Sequence, residues 1–274
     1  MIKSIGKKYL KSVFRQVSKP ILGRVNKFYN IHKGESCYIF GDGISVKFMV
    51  LKLFADKTSF AVNYFPFHKE FSALNCSYCV INAPFYFSPF FGYEQEKKHH
   101  MNGVAKLYKE LIVSNPQINY FVDLTNYPFL RRGNVFHTSN TIPDQRLSEN
   151  FIANRINCNS GVNRMAMMLA MYMGFDHIYL VGFDYTHVPS RSLHWYEKGQ
   201  GVFCPQGNYN QDFFEIAREF SDITTITLDG TSDFINAVKY QEYTGRAPVF
   251  RENTALIDER YMKALATWPG YALY

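Results

Sequence analysis

Two stretches of this chain carry residues whose types and spacing could do chemistry. The first is Asn157-Cys158-Asn159-Ser160-Gly161-Val162, followed by an apolar pattern of helical period. A small-residue turn that opens a helix presents unpaired backbone N–H groups and a hydroxyl, and the helix dipole adds positive potential at the same place. Such a turn favours a phosphate. The second is Ile178-Tyr179-Leu180-Val181-Gly182-Phe183-Asp184-Tyr185, an apolar run ending in Gly-aromatic-Asp-aromatic. Polar groups at the carboxyl end of a strand lie where open α/β sheets bind ligands. Together the two stretches predict a site for a phosphorylated small molecule.

Three more strand-like runs end in polar residues. Residues 36–40 lead into Gly41-Asp42-Gly43-Ile44-Ser45, residues 60–62 into Asn63, and residues 78–81 into Asn82. Each Asn alone reads as a turn residue. In a parallel sheet, however, these ends converge on one edge, and an amide that both donates and accepts suits a base or a ribose. The segment 186–210 holds Pro189, Pro205, Gly199, Gly201 and Gly207 with little periodicity. A loop of that length suggests an active-site lid. It contains two histidines, His187 and His194, and the latter opens the run His194-Trp195-Tyr196-Glu197. An imidazole near its neutral pKa can take a proton from a hydroxyl or stabilise a leaving phosphate.

The elements that must position these residues follow from periodicity. Strands are expected at 36–40, 60–63, 78–82, 120–123, 177–182 and 223–228, and helices at 46–54, 94–114, 161–173 and 211–220, with 125–150 rich in loop. Strands alternating with helices predict an α/β fold with a mostly parallel sheet. A chain of 274 residues fits one large domain with a lid. A basic amphipathic arm, 1–34, is expected to precede the domain, 35–274, with the lid at about 186–210.

Charge supports that division. Residues 1–34 carry nine of the 30 Lys and Arg and no acidic residue, which leaves 21 basic against 23 acidic residues in the body. A near-neutral body argues against a nucleic-acid surface. In the arm, Ile2, Ile5, Leu10, Val13, Phe14 and Val17 fall roughly on one helical face, and Pro20 ends the pattern. Such a helix suits an anionic membrane surface, or else packs as a solvated basic helix. No apolar run approaches the ~18 residues of a span, and no secretory signal pattern is expected. A cytoplasmic protein held peripherally at the inner face of the membrane is the expectation. Five scattered Cys suit a reducing compartment, and Cys76-Ser77-Tyr78-Cys79 lacks the second pair of a zinc site. No metal site and no cofactor are expected.

The order Gly-x-Gly-x-Ser, Val-Asn, Val-Ile-Asn, Ser-Gly-Val with a helix, then Ile-Tyr-Leu-x-Gly-x-Asp resembles the bacterial family-42 sialyltransferases. It also resembles the related motility accessory factor and 6-hydroxymethylpterin pyrophosphokinase group. The similarity spans roughly residues 36–230 and is strongest at 159–185. It implies a single Rossmann-like domain, a GT-A variant, that binds a CMP-activated acidic sugar without a metal. On this resemblance Gly41, Gly43 and Ser45 match the first phosphate-side turn, with Asp42 between them. Asn63 and Asn82 match the asparagines that hold the nucleotide, and Asn159, Ser160 and Gly161 the cytidine-side turn. Asp184 matches the aspartate after the fifth strand, and Tyr185 and Tyr196 are further donor contacts.

The departures are specific. The family has Asn where this chain has Asp42, and Tyr where it has Thr186, beside Tyr185. The family's late lid histidine has no counterpart near 207–210. The run from His194 to Glu197 is instead similar to the His-aromatic-aromatic-Glu stretch of animal sialyltransferases.

The implied function is inverting, metal-independent transfer of an acidic 2-keto sugar, a sialic-acid-like nonulosonate or Kdo, from its CMP donor. The acceptor would be a bacterial surface glycan or glycolipid, as in lipopolysaccharide or capsule synthesis. Two other readings stay open: a pterin-type pyrophosphokinase, and a non-catalytic nucleotide-binding module that docks on membranes. Self-association is open too.

Overall fold

The structure is a computed structural model that describes residues 16–89, 95–139, 161–205 and 210–274. Strands and helices alternate along the chain, as the periodicity implies. Strands β1 (Ser36–Phe40), β2 (Thr58–Val62), β3 (Cys76–Ile81), β4 (Asn119–Asp123) and β5 (Val135–Thr138) come first. After them come β6 (His177–Val181), the two-residue β7 (Ser190–Arg191) and β8 (Phe203–Cys204), β9 (Asp222–Thr227) and β10 (Asn236–Lys239). Eight of these form one sheet in the order β10-β9-β6-β1-β2-β3-β4-β5, with every neighbouring pair parallel. Strands β7 and β8 make a small antiparallel pair of their own.

Burial on both faces explains why the inner strands read as unbroken apolar runs. Tyr38, Phe40, Cys79, Ile81, Tyr120 and Val122 pack on one side. There they meet Val104, Tyr108 and Ile112 of α1 (Gln95–Ser114). Cys37, Ile39, Phe60, Val62, Val80 and Phe121 point the other way. That face is covered by the methionine-rich helix α2 (Val162–Tyr172) and by Phe213 and Phe214 of α3 (Gln211–Ala217). The chain closes with the short helices α4 (Tyr240–Thr244), α5 (Asn253–Leu256) and α6 (Glu259–Leu265), the last packing beside α1.

Four expectations are corrected. The segment 46–54 is two 3-10 turns, Ile44–Phe48 and Leu51–Phe54, separated by the extended residues Met49 and Val50, which break the helical run. The loop-rich stretch 125–150 contains β5, and β10 follows β9; both are four-residue edge strands, too short to show a period. The arm does not end at residue 34 as a separate unit. Leu22, Val25 and Phe28 are buried, and Phe28 packs edge-on against Tyr78, Phe121 and Phe136. Finally, the middle of the expected lid is core: Trp195 is 0% and Tyr196 1% exposed. Residues 1–15, which hold most of the arm's basic helix pattern, lie outside the described residues.

Candidate active site

Strand order places the site. From β1 the chain winds outward through β2 to β5 on one side, while β6, β9 and β10 continue on the other. Order reverses between β1 and β6, and at such a switch point the loops diverge and leave a crevice above the strand ends. Asp42 follows β1 and Asp184 follows β6. Both line a cavity of 340 Å³ there, together with Asn63, Arg191, His194 and a group of tyrosines.

The two loops approach each other closely. Gly41 N–H donates to the Val181 carbonyl at 2.8 Å, and Gly43 N–H donates to the Gly182 carbonyl at 2.8 Å. A Cβ on Gly43 would lie 1.9 Å from Asp184 Oδ2 and 2.5 Å from Gly182 O, so this glycine is required by proximity. Gly182 itself has φ of +74°, a left-handed turn that suits glycine. Ser45 secures the same junction. Its backbone N–H and its hydroxyl both donate to Asp184 Oδ2, at 3.2 and 3.1 Å. Asp184 Oδ1 is buried without a partner.

The segment after β7 crosses this junction. Gly43 and His194 form an antiparallel bridge, and Trp195 N–H donates to the Asp42 carbonyl at 3.0 Å. The Trp195 indole N–H donates to Asp42 Oδ1 at 3.1 Å, while Tyr64 N–H donates to Asp42 Oδ2 at 3.2 Å. Beneath, the fully buried Lys47 donates from Nζ to the carbonyls of Glu197 and Gly199, at 2.8 and 2.6 Å. Asn253 Nδ2 donates to the Tyr196 and Leu273 carbonyls, both at 2.9 Å. These bonds build residues 194–199 into the domain.

His194 and Glu197 form a dyad. Nδ1 lies 2.6 Å from Glu197 Oε2, which also accepts the His194 backbone N–H at 2.8 Å. The other oxygen, Oε1, accepts Ala272 N–H at 3.1 Å. A carboxylate only accepts, so the proton sits on Nδ1 and Nε2 is left for a reacting group. The imidazole stacks on Tyr196, 5.0 Å between centroids, with Tyr271 edge-on.

Burial shapes the charges. It lifts the carboxyls of Asp42 and Asp184 to about 6 each, against the opposing pull of His194 on the first and of the Ser45 donors and Arg191 on the second. Burial also works to discharge His194. The hydrogen bond that His194 donates to Glu197 and the negative charges of Asp42, Glu197 and Asp184 outweigh it, and its pKa is raised. Glu197 is correspondingly lowered: burial works against ionisation, and the His194 bond with two backbone donors overcomes it.

The structure brings together Gly41, Asp42, Gly43, Asn63, Asp184, Tyr185, His194 and Tyr196 around the cavity. Other expected donor contacts fall just outside its lining. Ser45 is 1% exposed and braces Asp184, so it positions a carboxylate. Asn82 is 7% exposed, and its Nδ2 lies 3.4 Å from the Gly161 carbonyl, tying β3 to the start of α2. Asn159 and Ser160 lie outside the described residues. His187 is separated from the cavity. It is 3% exposed, its ring packs where a side chain on Gly230 would sit, and burial holds its pKa at about 4. That makes it a packed neutral imidazole away from the cavity.

Sequence reasoning missed Arg191, Tyr64, Tyr108 and Tyr271 as parts of the site. Trp195 and Glu197 were legible in the sequence as the aromatic and the Glu that follow His194. No local signal marks Tyr271, which arrives from the far end of the chain. Among the described residues no group of three His, Cys, Asp or Glu side chains is placed to hold a metal ion.

The chain matches no protein-family model and no curated protein. Among solved structures it is similar to the sialyltransferase CstII from Campylobacter jejuni, determined in complex with a substrate analogue, cytidine-5'-monophosphate. The two share 14% identity at a TM-score of 0.47, over 84% of this chain and 97% of that one. A likeness this distant assigns no residue a role.

Proposed function

We propose that this chain is a glycosyltransferase that moves an acidic 2-keto sugar from a CMP donor to a glycan hydroxyl. One observation carries the reading: a His–Glu dyad, His194 with Glu197, opens onto a cavity at the switch point of a parallel sheet. The cavity's tyrosine walls, including Tyr64, Tyr108, Tyr196 and Tyr271, suit a sugar ring, whose faces are apolar and whose edges are hydroxyls.

Charge orders the substrate. A phosphate is disfavoured beside Asp42 and Asp184 and favoured at the start of α2, whose Gly161 cap carries no side-chain hydrogen bond and where the helix dipole is positive. The nucleotide then lies toward Asn63 and Asn82, and the sugar toward His194. Arg191 lines the cavity and is the cation nearest at hand for the sugar's carboxylate, although Asp229 shares it at 2.9 Å. His194 Nε2 takes the proton of the acceptor hydroxyl as that oxygen bonds to the anomeric carbon. The bond from that carbon to the phosphate oxygen breaks, and CMP leaves with the electron pair. Attack opposite the leaving group inverts the centre. Glu197 holds the imidazole and stabilises the imidazolium.

Purified protein incubated with a panel of CMP-sugars tests this by CMP release, with and without EDTA. Release that needs an acceptor and survives chelation supports the reading. A pyrophosphokinase is the second reading, favoured by the paired carboxyls Asp42 and Asp184; it predicts AMP from ATP and a pterin only with Mg²⁺. Silence in both assays, with CMP still bound, leaves a binding module. Membrane docking through residues 1–34 belongs to the same proposal. Among the described residues no helix is long and apolar enough to cross a membrane.

A further inference from the structure

Asp42 is the residue at which this chain departs most sharply from what a phosphate-binding turn should hold. Its carboxylate is fully committed within the protein. Oδ1 accepts the Trp195 indole, Oδ2 accepts Tyr64 N–H, and its own carbonyl accepts Trp195 N–H. Residue 43, next in the chain, bridges to His194. The turn after β1 therefore grips both residues at the head of the dyad segment, by backbone and by side chain. It does so with a negative charge.

We propose that Asp42 is a positioning residue that acts through His194: it fixes the dyad segment against the sheet edge and supplies a second carboxylate charge facing the imidazole. The proposal rests on the transferase reading for its consequence in turnover, but its physical core does not need that reading.

Among the described residues, the groups facing His194 are few. Glu197 bonds Nδ1 from its own segment; Asp42 faces it from the β1 loop and Asp184 from the β6 loop. Tyr196 stacks on it and Tyr271 abuts it from the C-terminal segment. Around Asp42 itself stand Tyr86, Tyr108, Tyr185 and Tyr196, whose hydroxyls burial pushes well above their ordinary range, and Tyr271, which burial also raises. These phenols stay neutral at physiological pH. Among the described residues, the charges that act on the proton affinity of His194 are thus the three carboxylates, with Arg191 at one remove beside Asp184. Of the three, Glu197 is needed for the hydrogen bond and Asp184 is braced by Ser45. Asp42 is free of any direct bond to the ring, so its influence is one of field and placement.

The physical consequence is a coupled response. At low pH Asp42 is neutral and His194 is charged. As Asp42 ionises, it strengthens the hold on the His194 proton and delays the appearance of the free base. An asparagine at 42 keeps one acceptor, enough for Trp195, but sets an amide N–H against the Tyr64 N–H and brings no charge; the backbone contacts of residues 42 and 43 with the dyad segment remain, so the change falls chiefly on the field.

The experiment is an imidazole titration by NMR on ¹⁵N-histidine-labelled full-length protein, needing no substrate. The His194 signal is assigned by its loss in H194A. In D42N its midpoint should move to lower pH by roughly half to one unit, about a three- to tenfold weaker hold on the proton. E197Q serves as the positive control and should move it further. W195F keeps the ring packing and removes one donor from Asp42, so Asp42 ionises later and the His194 midpoint shifts the same way by less. If D42N does not fold, W195F decides. Where a CMP-sugar is turned over, the acid limb of kcat/KM should move with the NMR midpoint. A His194 midpoint unmoved in D42N or W195F, while E197Q moves it, overturns the proposal. A shifted midpoint with no turnover of any CMP-sugar would leave the coupling intact and defeat only the transferase reading.

Discussion

Replacing Gly43 by Ala isolates the closest approach in the site. The residue has φ −63° and ψ 152°, so an alanine backbone is comfortable there and any cost comes from contact alone. The new methyl would meet Asp184 Oδ2 at 1.9 Å and the Gly182 carbonyl at 2.5 Å. Gly182 O is backbone and cannot rotate away, so the two loops must separate. Separation weakens three hydrogen bonds: Gly43 N–H to Gly182 O, and the two from Ser45 to Asp184. At about 1 kcal/mol each, with about 1–3 kcal/mol for overpacking, the loss is roughly 4–6 kcal/mol. For a chain of this size that lowers Tm by roughly 8–24 °C. Calorimetric melts at neutral pH give the answer. The control is Gly103→Ala in α1, where nothing lies within 4 Å of the added Cβ. There the same chemical change should stabilise by about 0.5–1 kcal/mol, because alanine favours the helix. If both variants melt together with the parent, the tight junction between the β1 and β6 loops does not exist.

Turnover of a CMP-sugar should fall by about 10²–10⁴ in His194→Ala and stay near the parent in a folded His187→Ala, because only the first lines the cavity; the reverse pattern in steady-state rates would reassign the base. Lys47→Met should cost roughly 2–4 kcal/mol in urea unfolding, since it strands the buried carbonyls of Glu197 and Gly199, and an unchanged midpoint would mean those carbonyls find other donors. Acid should destabilise the fold. Burial holds His68 neutral to about 3, and His137 and His187 to about 4, so the unfolded chain binds their protons first as pH drops below about 6.5. Asp42 and Asp184, protonating near 6 in the fold, oppose this. Three histidines against two carboxyls leave about one more proton on the unfolded chain between pH 6 and 4, a loss of about 1.4 kcal/mol per pH unit. Urea titrations at several pH values should show that slope, flattened in His187→Gln; an equal slope in the variant would count against a neutral His187. Phe28→Ala should cost about 3–5 kcal/mol by chemical denaturation, whereas stability unaffected by it would return residue 28 to an independent arm.

The α/β alternation and the parallel sheet were legible because strands buried on both faces must be apolar throughout. Ser36–Phe40 and His177–Val181 show this directly. The polar strand ends were legible for a related reason: where an apolar run stops at Gly41-Asp42-Gly43, Asn63, Asn82 or Asp184, the chain has reached the sheet's edge. Composition thus determined which residues end strands. It could not determine the strand order, since pairing is a long-range choice. Without the order, the switch point that makes Asp42 and Asp184 neighbours cannot be located. Short edge strands escaped for want of a period, and the basic arm misled because charge marks solvent exposure on one side of a helix and says nothing about Leu22, Val25 and Phe28 on the other. Of two candidate histidines in one loop, His187 was the weaker and His194 the stronger. Tertiary packing made the first a neutral core group beside Gly230 and the second the head of a dyad, because only the fold decides which ring loses water and which keeps a carboxylate.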